Sequence, residues 1–149
     1  MIQQLLANRV LVPALLAWWL AQFLKVPINY IINKKWTWKF WFSSGGMPSS
    51  HSSLVVSAMI SIGLNEGFDS PLFALSVALA MIVMYDAAGV RRQAGIQAQK
   101  INQLIEELLS GHPISEEQLK EVLGHTPSQV VVGIVLGTVI SISYWLLTP

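Results

Sequence analysis

Cysteine is absent from this sequence, and charge is scarce. Asp, Glu, Lys and Arg make up 11% of the 149 residues and hydrophobic residues make up 53%, whereas soluble domains carry about 25% charged residues. The absence of cysteine excludes a small disulfide-stapled scaffold. The scarcity of charge excludes an ordinary soluble enzyme, because the surface of so small a domain must be hydrated. The net charge of +1 excludes a broad basic surface for nucleic acid.

Long apolar segments are present instead. A transmembrane helix needs roughly 20 mostly apolar residues to cross about 30 Å of hydrocarbon. The sequence therefore predicts an all-α integral membrane bundle of about four transmembrane helices, formed by a single domain, residues 1–149. The predicted spans are residues 5–24, 48–64, 71–89 and 127–147.

The region 91–124, between the third and fourth spans, is polar enough to lie outside the membrane. Its apolar residues from Ile101 to Leu109 recur at the spacing of an amphipathic helix, and Gly111 would end that helix. The region is too short to hold a core of its own. We expect a small amphipathic helical loop that lies on the membrane surface or covers a site between the spans.

Positive charge is concentrated on one side of this predicted topology. Four spans place the loops 25–47 and 90–126 on the same side, and each loop holds four Lys or Arg. The positive-inside rule then places both loops in the cytoplasm. We expect a protein of a bacterial or organellar inner membrane, with these loops on the cytoplasmic face.

Polar residues crowd at three points that this topology brings to one face of the membrane. The first point is the start of the second span, where His51 follows a glycine- and serine-rich stretch. Glycine lets the backbone approach a ligand closely, and a helix N-terminus favours a phosphate group. The candidate residues of this point are Gly45, Gly46, Ser49, Ser50 and His51.

The second point contains Asp86, Arg91 and Arg92, at the end of the third span. An ionisable residue at the end of an apolar span is usually paired or functional. The planar guanidinium of arginine matches phosphate oxygens, although an arginine pair beside a span also serves as a plain stop-transfer signal.

The third point is the start of the fourth span. Thr126, Pro127 and Gln129 form a predicted capping box, with Thr126 as the N-cap. That capping box does not explain His125, which precedes the cap and lies at the same interface as His51.

Two histidines, several cations and two helix N-termini on one face predict phosphoryl transfer. One histidine would attack phosphorus and form a phospho-histidine, and the other would protonate the leaving oxygen. Cations would stabilise charge on the phosphate oxygens. The acidic residues and histidines lack metal-ligand spacing, so we expect no metal and no other cofactor.

Three blocks of the chain strongly resemble the divergent branch of the type 2 phosphatidic acid phosphatase superfamily, which is related to acid phosphatases and vanadium-dependent haloperoxidases. The resemblance covers almost the whole chain and implies metal-independent hydrolysis of phosphomonoesters, typically lipid phosphates. The blocks are GGMPSSH at 45–51, YDAAGVRRQAG at 85–95 and LGHTPSQV at 123–130.

The resemblance also implies roles for individual residues. His51 lies in a block similar to the Pro-Ser-Gly-His block that carries the general acid, and His125 resembles the nucleophile. Lys34 and Lys35 loosely resemble an early basic pair. The expected phosphate ligands are Lys34, Lys35, Ser49, Ser50, Arg91 and Arg92, supported by Gly45, Gly46, Thr126 and Gln129.

Two features depart from the superfamily pattern. Arg92 and His125 are 33 positions apart, whereas the superfamily holds its arginine and its nucleophilic histidine close together in sequence. Gln129 stands where a His-x-x-x-Asp block has an acid. Glutamine can orient an imidazole by hydrogen bonding, but it cannot stabilise an imidazolium by charge. We expect Asp86 to supply that charge.

The leading hypothesis is a membrane phosphatase that hydrolyses phosphatidic acid, phosphatidylglycerol phosphate or an isoprenoid phosphate. The alternatives are an inactive scaffold that binds phosphate or an anionic lipid, and a small transporter that relays protons. The expected partners are the lipid substrate and the bilayer, and no nucleic acid. Gly133 and Gly137, four residues apart, predict close helix packing, within the bundle or in a homodimer.

Overall fold

A computed structural model describes residues 1–34, 36, 38, 41, 45–108 and 124–148, with the backbone alone for Arg91, Glu106 and Glu107. This part of the chain contains six helices and no strand, so it is all-α, as predicted. The helices are α1 (Ile2–Leu6), α2 (Leu11–Asn33), α3 (Ser50–Glu66), α4 (Pro71–Ala88), α5 (Val90–Leu108) and α6 (Pro127–Leu147).

Three helical stretches in these described ranges are long and apolar enough to cross a membrane. They are α2, α6 and the stretch Pro71–Ile105, which comprises α4 and most of α5. Helix α3 has 17 residues and is not among them. The prediction of four spans is therefore not confirmed, although three candidate spans agree with a membrane protein.

Helix α3 occupies the centre of the bundle, in contact with α2, α4 and α6. Three neighbouring helices screen it from lipid, so it does not need the apolar surface of an ordinary span. Small and mostly polar side chains fill its packing surfaces instead. The buried residues of α3 are Ser50, Ser52, Ser53, Val56, Ser57, Ser61 and Gly63.

Large apolar side chains lie on the outside of the bundle. Leu75 is 67% exposed, Ile82 is 68% exposed and Leu146 is 65% exposed, whereas Ala17 and Ala21 are fully buried. A soluble protein shows the opposite distribution for its largest apolar residues. The bundle therefore has the surface expected of a protein whose solvent is lipid.

The small residues of α3 and α6 form a close interhelical seam. A methyl group added at Gly133 would lie 2.6 Å from the Ser49 carbonyl oxygen, and one at Gly137 would lie 2.6 Å from that of Ser53. Ser53 Oγ also donates a hydrogen bond to the Gly133 carbonyl oxygen at 3.1 Å. Both glycines thus pack within the chain, and the homodimer through them stays a prediction.

Helix α2 differs from the first predicted span at both ends. Asn8 Oδ1 accepts hydrogen bonds from the backbone N–H groups of Val10 and Leu11 at 2.9 Å, which separates α1 from α2. Helix α2 then continues through Pro27 to Asn33. Lys25, which the hydropathy pattern places in a loop, is therefore helical, because α2 extends beyond its apolar run.

Helix α5 begins immediately after Gly89, earlier than the predicted amphipathic helix. Arg91 and Arg92 therefore lie in a helix and not in a loop. The exposed apolar residues Ile101, Leu104 and Leu108 belong to this helix. The predicted helix end at Gly111, and the rest of 109–123, lie outside the described residues.

Candidate active site

One end of the bundle collects the three polar segments. The backbone N–H of Ser49, at the start of α3, donates to the carbonyl oxygen of Gln129 at 3.0 Å. The backbone N–H of His125 donates to the carbonyl oxygen of Ala87, near the end of α4, at 3.0 Å. These two hydrogen bonds connect the start of α3, the end of α4 and the start of α6.

His125 lies at the centre of this junction. It is 2% exposed, and its ring centroid is 6.0 Å from that of His51, with the planes inclined at 61°. His51 is half-buried in the first turn of α3. The two rings that the sequence predicts to act together are therefore neighbours.

Gln129 fixes the tautomer of His125. Its Oε1 lies 3.1 Å from His125 Nδ1 and accepts the backbone N–H of Thr126 at 3.2 Å, which completes the predicted capping box. A backbone N–H can only donate, so the side-chain atom that it meets must be the carbonyl oxygen. Because that oxygen accepts, Nδ1 must carry the hydrogen.

The other ring nitrogen of His125 is consequently the one with a free lone pair. Nε2 is buried and has no hydrogen-bond partner among the described residues. Most buried polar atoms in proteins do have a partner. An unsatisfied lone pair in a neutral imidazole is therefore the chemical feature that most distinguishes this site.

Burial lowers the pKa of the His125 imidazole below its ordinary value of 6.5. The positive charges of Lys25 and His51 lower the pKa further. The hydrogen bond with Gln129 and a smaller interaction with the Gly46 backbone raise it, so they partly oppose the shift. The net effect keeps the ring neutral at neutral pH. The Nε2 lone pair is then available to a ligand.

Lys25 is a member of this site that sequence reasoning missed. It is 1% exposed on α2, and its charge acts on His125. The hydropathy pattern placed it in a loop, as a topological charge. The signal that could have found it is an ionisable residue adjoining an apolar helix, which is costly in a membrane and usually functional.

The start of α3 is stabilised by its own serines. Ser49 Oγ accepts the backbone N–H of Ser52 at 3.3 Å and the Ser52 hydroxyl at 3.0 Å, and Ser49 and Ser50 are both buried. The backbone bends before them at Gly46, which has a φ of 88° that favours glycine. Ser49 therefore caps α3 and joins it to α6, beside the two histidines.

The remaining predicted residues are less closely associated with His125. Asp86 is half-buried and precedes Ala87, whose carbonyl accepts the His125 N–H. Lys34 and Arg92 are exposed. The side chain of Arg91, and Lys35 as a whole, lie outside the described residues. In the described ranges, no group of three His, Cys, Asp or Glu residues could hold a metal ion.

The fold and this site define an α-helical membrane protein with a pair of neighbouring histidines, one buried and one half-buried, at one end of its bundle. The pattern of the Divergent PAP2 family matches residues 6–140. The uncharacterized membrane protein YuiD of Bacillus subtilis (strain 168) is 39% identical over 150 residues, which cover 93% of this chain and 95% of that protein. No solved structure matches the chain.

The chain therefore belongs to the Divergent PAP2 family. This membership confirms the resemblance carried by the blocks at 45–51, 85–95 and 123–130.

Proposed function

We propose that this protein is a metal-independent phosphatase that hydrolyses a lipid phosphomonoester through a phospho-histidine at His125. The observation that carries the proposal is the state of the His125 ring. Gln129 holds Nδ1, and Nε2 is buried without a hydrogen-bond partner in the described part of the chain. A lone pair held in this way is suited to attack phosphorus. Phosphatidic acid, phosphatidylglycerol phosphate and isoprenoid phosphates are the candidate substrates.

The first step transfers the phosphoryl group to His125. The Nε2 lone pair forms a bond to phosphorus while the bond from phosphorus to the lipid oxygen breaks. Protonated His51 donates its proton to that oxygen, so a neutral lipid alcohol leaves. The 6.0 Å separation of the two ring centroids supports this division of roles.

The second step releases phosphate. A water molecule attacks the phospho-histidine, neutral His51 accepts its proton, and the bond from phosphorus to Nε2 breaks. Inorganic phosphate leaves, His125 is neutral again and His51 is protonated again. Asp86 is proposed to stabilise positive charge on the imidazoles, because Gln129 cannot do so.

Lys25 is proposed as the main cation of the phosphate site. Its burial and its electrostatic effect on His125 support this assignment, since an ammonium with little access to water stabilises a phosphate charge strongly. Lys34, Lys35, Arg91 and Arg92 stay candidates for phosphate capture, together with the N-terminal turn of α3 at Ser49 and Ser50.

Phosphate release and phospho-enzyme formation test the proposal. Purified protein in detergent micelles should release phosphate from at least one of the three lipid classes and form an acid-labile phospho-enzyme. His125→Ala should do neither. The control Asn65→Ala, at the opposite end of α3, should retain both. A folded wild-type protein that releases no phosphate from any of these lipids contradicts the proposal.

A non-catalytic phosphate-binding protein is the second candidate, and Gln129 favours it because the acid of the superfamily motif is missing. Vanadate separates the two functions. In a phosphatase, vanadate bonds to Nε2, so His125→Ala should lose vanadate binding and vanadate should compete with the lipid. In a scaffold that holds phosphate by charge alone, His125→Ala should still bind vanadate.

The active site is proposed to face the cytoplasm of a bacterial or organellar inner membrane. The wild-type chain has no cysteine, so one introduced cysteine is a unique thiol. In intact cells, a membrane-impermeant maleimide should label Glu66→Cys, at the opposite end of the bundle, but not Lys34→Cys. The reverse labelling pattern would place the site on the outer face.

A further inference from the structure

Two buried polar atoms, one on Gln22 of α2 and one on Trp41, take no part in the proposed phosphoryl transfer. Gln22 Oε1, an acceptor, and Trp41 Nε1–H, a donor, are both buried without a hydrogen-bond partner among the described residues. Their residues are in contact, because Gln22 Nε2 donates to the Trp41 carbonyl oxygen at 3.0 Å. An unused donor and an unused acceptor therefore belong to one pair of residues.

The Gln22–Trp41 pair lies one helical turn from the proposed phosphate cation. Gln22 precedes Lys25 by three positions in α2, which places the two side chains on neighbouring parts of one helix face, about 4.5 Å apart along the axis. Helix α2 packs against α3 and α6, which position His51 and His125. The histidines lie at the end of the bundle where α2 ends. Gln22 therefore lies deeper in the bundle than Lys25 does.

Aromatic contacts hold the Trp41 indole in place. Its ring centroid is 5.1 Å from that of Phe23 and 5.0 Å from that of Trp38. The Gln22 amide is likewise oriented by its hydrogen bond to the Trp41 backbone. Oriented polar atoms in an apolar setting can fix the orientation of a bound ligand through a few hydrogen bonds.

We propose that Gln22 and Trp41 bind a free hydroxyl group on the alcohol part of the lipid phosphate. A hydroxyl can donate to Gln22 Oε1 and accept from Trp41 Nε1–H at the same time. An isoprenoid phosphate has no polar group beyond its phosphate, and phosphatidic acid offers only ester oxygens, which cannot donate. The headgroup of phosphatidylglycerol phosphate has a free hydroxyl on the carbon next to the phosphate-bearing carbon.

The inference therefore selects one substrate class, a lipid that ends in a hydroxyl-bearing glycerol phosphate. It rests on the proposed phosphatase function, since the phosphate is taken to be at His125 and Lys25. A site built to hydrogen-bond a hydroxyl discriminates strongly against an analogue that lacks it, because its buried polar atoms are then left unpaired.

A pair of lipids that differ by one oxygen atom gives the sharpest test. Phosphatidylglycerol phosphate and its analogue with a propane-1,3-diol headgroup are compared in the same detergent micelles. We expect the wild-type kcat/KM to favour the hydroxyl-bearing lipid by about 10- to 100-fold. Gln22→Met and Trp41→Phe should each reduce this ratio to about 1 to 3, with no loss of rate on the deoxy analogue, because neither variant leaves the replaced polar atom unpaired.

Matched controls separate hydrogen bonding from packing. Gln97→Met on the exposed surface of α5 and Trp145→Phe near the end of α6 should keep the wild-type ratio. Equal wild-type kcat/KM values for the two lipids would overturn the hydroxyl site. Equal losses on both lipids in Gln22→Met and Trp41→Phe would overturn it as well, because they indicate a structural role.

Binding measurements distinguish failure of this inference from failure of the phosphatase proposal. His125→Ala, which should not turn over, is titrated with each lipid by native mass spectrometry. Tighter binding of the hydroxyl-bearing lipid, lost in the added Trp41→Phe variant, supports the hydroxyl site even if the wild-type protein releases no phosphate. Equal affinities for the two lipids overturn the hydroxyl site whether or not the wild-type protein is active.

Discussion

Helices α4 and α6 begin with the same signals at opposite ends of the bundle, and only one of these starts lies at a candidate site. Ser70 caps α4, with its Oγ accepting the Phe73 N–H at 3.2 Å, and Pro71 follows. Thr126 caps α6 and Pro127 follows. Both arrangements satisfy the first turn of a helix.

The residues around the two caps make the difference. An exposed Asp69 precedes the cap of α4, whereas a buried His125 precedes the cap of α6. The Gln129 amide joins the capping box to the imidazole, so the same oxygen that caps the helix also orients the ring. A capped N-terminus is thus common structural chemistry, and the buried, incompletely satisfied imidazole is what indicates function.

The largest expected difference between the two ends concerns their cations. Lys25→Met should lower kcat/KM for the lipid substrate by about 10²- to 10³-fold, because it removes a buried charge from the phosphate site. Arg9→Met, which removes an exposed cation near the opposite end, should change it by less than about twofold. Steady-state phosphate release measures both. Similar losses in the two variants would contradict the assignment of Lys25 to the site.

A smaller difference is expected between two aspartates. Asp86→Asn should reduce kcat by about tenfold, since the amide cannot stabilise positive charge on the imidazoles. Asp69→Asn, beside the start of α4, should be near wild type. Kinetics of both variants at one lipid concentration above KM are sufficient. A wild-type rate for Asp86→Asn would remove that residue from the mechanism.

Gln129→Glu should change the pH dependence more than the maximal rate. His125 must be neutral to attack, and burial lowers its pKa in the wild-type protein, so activity should persist below the pH at which a free histidine protonates. A carboxylate at 129 favours the protonated ring, raises the pKa and should move the acidic limb of the pH–rate profile to higher pH.

Asn65→Asp, which adds a negative charge at the far end of α3, is the control for this pH experiment and should leave the profile unchanged. An unshifted acidic limb in Gln129→Glu would show that His125 does not control it.

The smallest effects should come from the caps themselves. Thr126→Ala and Ser70→Ala should each cost about 1 kcal/mol of stability, measured as the shift in thermal unfolding in detergent. Thr126→Ala should also lower kcat by a few-fold, because a loosened first turn of α6 releases Gln129. Ser70→Ala should not change kcat. If kcat fell in both variants, the loss in Thr126→Ala would be explained by lower stability and not by the release of Gln129.

Helix starts could be predicted from the sequence better than helix ends or burial. The Ser70–Pro71 and Thr126–Pro127 pairs place the starts of α4 and α6, because capping depends on adjacent residues. The end of α2 could not be placed in this way. Its apolar run stops at Leu24, whereas the helix continues to Asn33, and the polar residues Lys25 and Asn29 that follow the run are buried.

The candidate site was predictable to the extent that motifs are local. The sequence indicates His51, His125 and Gln129 through their positions beside helix starts, and the structure brings the three together. Lys25 carries no motif, because its place near the site follows from the packing of α2 against two other helices. Contacts between distant segments decide such positions, and one sequence does not contain them explicitly.

The glycine at position 133 has a consequence for the chemistry two turns away. Its missing methyl group lets α6 approach the Ser49 carbonyl, and Ser49 precedes His51 by two residues, while His125 precedes Gly133 by eight. The separation of the two imidazoles therefore depends on how closely the backbone of α6 approaches that of α3. A change as small as Gly133→Ala would widen the gap that a phosphoryl group must bridge, without touching either histidine.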